Sequence, residues 1–285
     1  MTRLERFTTE RRTEIYVYGL ALAAISLFPS IVVHENEFGL GPHPLLFAVF
    51  ALLVVALDIR PHPSLTEDSM FTFSWTFAFA LLLVAPLWAG LLVCLTATVT
   101  ADALTRRPPI RATFNASQFI VSLSLAWLSG DWVADLHSVR DGGPVTLRWL
   151  GGILVLLLVG VGLNALLLGV VVAMHQGLPI GSMTVRFLVS NLNTDGLLFA
   201  LAPVVVLVGI YGPLLLPVLL IIIFTILQAA RIALRNQRDA THDQLTELPN
   251  RRMFDDHAEL SISSAATSGD SLAILHIDLD GFKGI

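Results

Sequence analysis

The chain has 285 residues, 55% of them hydrophobic and 14% charged, with a formal net charge of −5. Soluble domains carry about 25% charged residues, so this shortfall excludes a disordered protein, a disulfide scaffold and an ordinary cytosolic enzyme over the whole length. The negative balance, with no Lys/Arg-rich face, argues against a nucleic-acid partner and leaves a polytopic membrane protein with a small soluble appendage.

In chain order, residues 1–14 are polar and hold Arg3, Arg6, Arg11 and Arg12. The apolar run 15–33 follows at spanning length, too long for a signal-peptide core and without a small-residue cleavage site. Residues 38–57 form a second span, ending at Asp58-Ile-Arg60-Pro61. The charge-free stretch 70–101 would measure about 48 Å as one helix, against a hydrocarbon core of about 30 Å. Pro86 at its centre predicts a tight hairpin between two short spans; a single kinked, tilted helix is the alternative. Spans at 112–130 and 149–174 come next. The run 196–230 repeats the puzzle and is split at Gly209-Ile-Tyr-Gly-Pro213.

Arginine placement tests the split. With eight spans, the segments 1–14, 59–69, 102–111 and 175–186 lie inside and carry nine Arg, while only Arg140 and Arg148 lie outside. With six, the Arg106-Arg107-Pro-Pro-Ile-Arg111 loop moves out and the count is seven against four. Eight fits better. Both arrangements put the N- and C-termini in the cytoplasm, in a multi-pass protein of the inner (cytoplasmic) membrane.

After residue 230 the composition becomes that of a soluble protein, with six Lys/Arg and nine Asp/Glu in 231–285. Residues 231–241 continue as helix from the last span, with Leu227, Ala230 and Leu234 at brief a,d-like spacing. Asn250 is placed to cap a second helix with Met253, Phe254, His257 and Leu260 on one face. A Ser/Ala/Thr/Gly loop leads to the apolar run 271–278, which reads as a strand buried on both faces. That strand ends in Asp278 and Asp280, which share one face by the period of two. Carboxylates at the carboxyl end of a sheet stand where open α/β folds bind ligands, and one or two of them suit Mg²⁺ beside a phosphate that Lys283 would neutralise. An acidic strand end in a solvated turn is the plainer alternative.

Taken together, His242-Asp-Gln-Leu-Thr-Glu-Leu-Pro-Asn-Arg-Arg252 and Ile277-Asp-Leu-Asp-Gly-Phe-Lys283 resemble the opening of a GGDEF domain, the catalytic fold of diguanylate cyclases. The resemblance covers about 240–285, near the first quarter of such a domain. It implies Asp278 as a metal ligand, Leu279 as a backbone-carbonyl ligand to the same Mg²⁺ (or Mn²⁺), and Phe282 and Lys283 at the nucleotide phosphates. Asp243, Leu245, Pro249, Asn250 and Arg251 match the largely structural opening motif. It further implies GTP as substrate, cyclic di-GMP as product and a homodimer, each partner holding one nucleotide. His276 and Gly284 depart from the family's usual residues. The sequence stops before the family's guanine-binding residues and GG(D/E)EF loop, so no catalytic residue lies within it. As it stands it is expected to be truncated and inactive.

The fold class is therefore an α-helical polytopic membrane domain of about eight spans, alternatively six, followed by the first part of an α/β GGDEF domain. The boundaries are 1–230, a helical linker 231–242, and 243–285. The function expected of the intact form is membrane-anchored cyclic di-GMP signalling. A degenerate nucleotide receptor and a composite protein with a phosphodiesterase EAL domain stand as alternatives. A transporter is remoter, because span interiors lack ionisable residues and Asp58, Asp102 and Asp195 fall at predicted ends.

The membrane half resembles, less specifically, the multi-span sensory modules that precede GGDEF domains. Asn115, Gln118, Asn164, Asn191 and Asn193 lie in or near spans and read as interhelical hydrogen bonding rather than a ligand site. Asp131, Asp135 and His137 have metal-compatible spacing in an outer loop, but loop polarity explains them too. His34 and His43 lie outside with no supporting pattern, and Cys94 is packing in an apolar run.

Overall fold

In the computed structural model, the described residues are 3–35, 39–59, 62–63, 70–71, 74–241, 243, 246, 248–251, 253–255, 258, 261–262 and 271–275. Two compact units divide between Leu219 and Leu220. In chain order the helices are α1 (Arg3–Glu35), α2 (Pro44–Asp58), α3 (Ser74–Val84), α4 (Leu87–Leu104), α5 (Pro109–Val133), α6 (Leu147–Gln176), α7 (Ile180–Tyr211) and α8 (Leu216–Thr241). A two-residue antiparallel pair, His62–Pro63 with Met70–Phe71, lies between α2 and α3.

Three helical stretches, Arg11–Val33, Leu87–Leu104 and Leu147–Gln176, are long and apolar enough to cross a membrane; α2, α3, Ala200–Tyr211 and Pro213–Ile226 are shorter apolar pieces. The helices break at both expected places. One break is at Pro86; the other runs through Gly212 and the 3-10 turn Pro213–Leu215. Elsewhere the boundaries differ from the hydropathy reading. α1 takes in the polar segment from Arg3, and α7 begins at Ile180 rather than near Gly196. Charge and amide groups around Arg186, Asn191 and Asp195 lower hydropathy, but they do not oppose helical backbone. α7 starts after Pro179, which occupies its N-cap position, and α6 stops at Gly177 in the left-handed region (φ 70°), a conformation glycine takes without penalty.

The Pro86 break opens backbone groups inside a buried layer, and two side chains satisfy them. Glu35, at the end of α1, accepts from the N–H groups of Leu87 (2.9 Å) and Trp88 (3.2 Å), where Pro86 offers no side-chain cap. His137 approaches the carbonyls of Ala85 (2.9 Å) and Leu82 (3.2 Å) at the end of α3. Both partners are acceptors, so Nε2 carries the proton. Burial, with the Arg140 guanidinium nearby, pulls the His137 pKa below its ordinary value. Trp127 lies against that ring at 4.5 Å.

Packing around this layer is close. α5 meets α6, α1 and α4, while α3 meets α2 and α7. Gly130 of α5 and Gly152 of α6 face each other, and a Cβ on Gly130 would come within 2.7 Å of the Gly152 carbonyl oxygen.

In the second unit, residues 271–275 form no sheet pairing among the described residues, so the expected strand there is not observed as one. A ladder requires a neighbouring strand, and none pairs with this segment among the described residues. It lines an apolar groove of about 220 Å³ with Phe254, Ala258 and Ser261. These stand at i, i+4 and i+7, one helical face.

Candidate functional site

Two places concentrate the residues singled out from the sequence, and each lies within one unit. In the tail, the Asp243 carboxylate accepts from the Thr246 N–H (2.9 Å) and hydroxyl (3.0 Å). The Asp243 N–H donates to the Leu248 carbonyl (2.8 Å), closing a turn. Aspartate favours such turns because its short side chain bonds neighbouring backbone donors. Asn250 accepts from the Met253 N–H (3.2 Å), the bond of an N-cap, while its own carbonyl accepts from Phe254 (3.0 Å). Pro249 sets the chain before that cap, and Arg251 stands 4.0 Å from Asp255 on an exposed surface.

Asn250→Ala should cost about 1 kcal/mol of local helix stability. The measurement is amide exchange: the Met253 and Phe254 amides are expected to exchange about fivefold faster, since 1 kcal/mol is roughly that factor. Unchanged exchange would show that the cap carries no weight.

Leu245, His257, Leu260, His276, Asp278, Leu279, Asp280, Phe282, Lys283 and Gly284 lie outside the described residues, as do the side chains of His34, Asn193, Asp195, Leu227, Ala230 and Leu234. The metal and phosphate assignments therefore stand on sequence alone. Among the described residues no group of three His, Cys, Asp or Glu is placed to hold a metal.

The second place is a cavity of about 160 Å³ in the helical unit, lined among others by Asp58, Trp75, Thr98, Asp102, Gln118 and Asn164. Asp102, in the last turn of α4, is 3% exposed and fully built in. Asn115 of α5 donates to both its carboxylate oxygens (3.0 and 3.3 Å), and Arg107 pairs with it at 3.0 Å. Gln118 of α5 donates to the Asn164 side chain of α6 at 2.9 Å. Asp58, at the end of α2, accepts from the Ser74 hydroxyl at 3.0 Å. Trp75 and Phe119 stack as an aromatic wall, with ring centroids 4.8 Å apart.

The interhelical bonding expected of Asn115, Gln118 and Asn164 is present. What sequence reasoning missed is their convergence with Asp58 and Asp102, which were read only as charges at span ends. A spacing signal existed in part: Asn115 and Gln118 are three apart and so share a face of α5.

The outer-loop trio does not converge. Asp131 accepts from the Leu136 N–H (3.0 Å), Asp135 from the His137 N–H (3.0 Å), and the His137 Nε2 is spent on α3. The His43 Nε2 meets the Arg140 carbonyl at 3.1 Å. Cys94 is a buried free thiol.

Residues 240–285 match the GGDEF diguanylate cyclase domain family. Over 46 residues the chain is 48% identical to the bifunctional diguanylate cyclase/cyclic di-GMP phosphodiesterase MucR of Pseudomonas aeruginosa. That stretch is 16% of this chain and 7% of the relative, so the chain spans a small fraction of that protein's length. No solved structure matches the chain significantly.

Proposed function

We propose that this chain is the membrane-embedded sensory and linker part of a cyclic di-GMP signalling protein, and that residues 243–285 open its GGDEF-type diguanylate cyclase domain. The observation that carries the reading is the match of residues 240–285 to that domain family. Apolar helices of spanning length support a multi-pass protein of the inner membrane. The arginine bias supports eight crossings with both termini cytoplasmic, and lipid as the surrounding partner.

In this reading the tail builds the entrance of a GTP site. Asp278 and the Leu279 carbonyl form an oxygen-only donor set, the kind that suits Mg²⁺ or Mn²⁺, and such an ion supplies Lewis-acid charge at the phosphates when bound. Phe282 and Lys283 hold the phosphates beside it. The capped turn at Asp243–Asn250 fixes where the following helix starts. Two such domains, one GTP each, meet face to face as a homodimer. The 3′-hydroxyl of one nucleotide displaces pyrophosphate from the α-phosphate of the other, and repetition closes cyclic di-GMP.

The name of the Pseudomonas relative favours a second reading, in which a phosphodiesterase accompanies the cyclase. Both are tested with membranes from cells expressing the full native reading frame, supplied with radiolabelled GTP and Mg²⁺. Labelled cyclic di-GMP is expected, with none formed when a chelator removes the metal. Subsequent decay to the linear dinucleotide would establish the second reading. Bound cyclic di-GMP without turnover of GTP would instead identify a degenerate receptor and overturn the cyclase.

A further inference from the structure

We propose that the turn between α4 and α5, with the adjoining start of α1, docks acidic phospholipid headgroups through Arg12, Arg106 and Arg111. The inference deepens the membrane reading of the helical unit and rests on it, but not on how residues 240–285 are read.

The key residue is Arg106. α4 ends in a Schellman turn, in which the Arg107 N–H donates to the Asp102 carbonyl (3.0 Å) and the Arg106 N–H to that of Ala103 (3.1 Å). Such a turn needs one residue in the left-handed region, and Arg106 takes that place at φ 52°. Glycine adopts this backbone freely, whereas a residue with a Cβ is strained in it. α6 ends in the usual way, on Gly177 at φ 70°. Among the described residues Arg106 is the one non-glycine with positive φ. Strain held at a single position points to a use for the side chain there. Yet the Arg106 guanidinium is exposed and, among the described residues, makes no hydrogen bond or ion pair within the protein.

Its neighbours set the charge of the partner. Arg111 lies five residues on, in the first turn of α5. α1 begins at the same end, because Glu35 at its far end caps the opposite end of α4 at Leu87. There the Tyr16 and Phe114 rings lie 6.4 Å apart, and the Tyr16 hydroxyl donates to the Leu167 carbonyl of α6 (3.2 Å). Arg12 stands about one helical turn before Tyr16, and Arg111 just under one turn before Phe114. Both are exposed, and among the described residues neither guanidinium has an acidic partner. Arg107 differs, since its charge meets Asp102. Glu14, exposed nearby on α1, pairs with none of them. The face is cationic and suits an anion, and a guanidinium fork matches phosphate oxygens.

Depth selects a lipid over a soluble anion. The spanning stretches begin at Arg11 in α1 and end at Leu104 in α4. The arginines therefore stand at headgroup level, where anionic lipid attracts Lys and Arg. Apolar surface adjoins them on the membrane side. Ile15 and Tyr18 share a helix face with Arg11, and Leu104 precedes the turn, each more than half exposed. A lipid meets both parts, its phosphate on the guanidiniums and its acyl chains along these side chains. Inorganic phosphate meets only the first.

The test is a thermophoresis titration of the full chain in dodecyl maltoside micelles, with dilauroyl phosphatidylglycerol, dilauroyl phosphatidylcholine or inorganic phosphate. The phosphatidylglycerol is expected to bind at least about tenfold more tightly than the phosphatidylcholine, with the gap narrowing as salt is added. Arg12→Gln, Arg106→Gly and Arg111→Gln should each weaken it about fivefold. Arg148→Gln, at the opposite end of α5 beside the Val133 carbonyl, should leave it unchanged. Arg106→Gly separates charge from fold, because relief of strain should raise the unfolding midpoint in dodecyl sulfate while lipid binding weakens. Equal affinity for the two lipids, an equal loss from Arg148→Gln, or inorganic phosphate bound as tightly as the acidic lipid overturns the proposal. So does an affinity unmoved by Arg106→Gly. The membrane premise is checked apart, in phosphatidylcholine vesicles washed at alkaline pH. Release of the chain there overturns the premise, whereas retention without a lipid preference overturns the docking face alone.

Discussion

Gly130→Val should destabilise the helical unit by about 3 kcal/mol, the upper part of the usual range for forcing volume into a packed interface. The obstruction is backbone, not a movable side-chain tip. The first carbon added would sit 2.7 Å from the Gly152 carbonyl oxygen and 3.0 Å from the Leu156 Cβ. α5 and α6 approach closely here because both present glycine, the use small residues have in helix pairs that lipid does not drive together. Gly162, on the same α6, has nothing within 4 Å of its ideal Cβ. Gly162→Val should therefore leave stability within about 0.5 kcal/mol of the parent, since valine is no poorer a helix former than glycine and meets open space there. Both are read by unfolding the purified protein with increasing mole fraction of sodium dodecyl sulfate in mixed micelles. Equal midpoints for the two variants would refute the close crossing.

Asp102→Ala is the second large effect. It removes the acceptor of Asn115 and the partner of Arg107 at once, in a site where the carboxylate is 3% exposed. Removing one member of a fully buried ion pair costs about 3–5 kcal/mol, because the other charge is stranded. Arg107 is 37% exposed, so it regains water and the loss falls to about 2 kcal/mol. The reverse variant, Arg107→Ala, strands the more deeply buried partner, but Asn115 still holds that carboxylate by two hydrogen bonds. A double-mutant cycle in the same unfolding assay should return a coupling of about 1–2 kcal/mol. A coupling near zero would mean the ion pair is incidental to the fold.

The sequence announced its helix breaks because their cause is local. A charge-free run too long for the bilayer, with Pro86 in its middle, has few other solutions, and Gly212-Pro213 punctuates the later run in the same way. The N-cap at Asn250 was legible for the same reason: the cap and the donor it serves are three residues apart. Partners set by tertiary packing were not legible. Asn115 and Asp102 are 13 positions apart and Gln118 and Asn164 are 46 apart, on different helices, and no periodicity encodes which faces meet. Glu35 drew no reading from the sequence and His137 was read only for metal-compatible spacing with Asp131 and Asp135, yet they close the two ends of the Pro86 break from 52 to 55 positions away. Hydropathy also marked only the apolar part of α7, since it measures affinity for lipid while the backbone follows propensity.

The short helix before that break has a consequence for how the protein is made. Every residue of α3, Ser74–Val84, is buried by protein, although composition alone would have assigned it to lipid. Its 11 residues extend about 16 Å, roughly half the hydrocarbon thickness. Such a segment is a poor independent client for the insertion machinery. It is expected to enter the bilayer together with α4 and to find its final surroundings only when α7, synthesised more than a hundred residues later, has arrived against it. This apolar, fully buried helix is thus a late-assembling core rather than an early anchor.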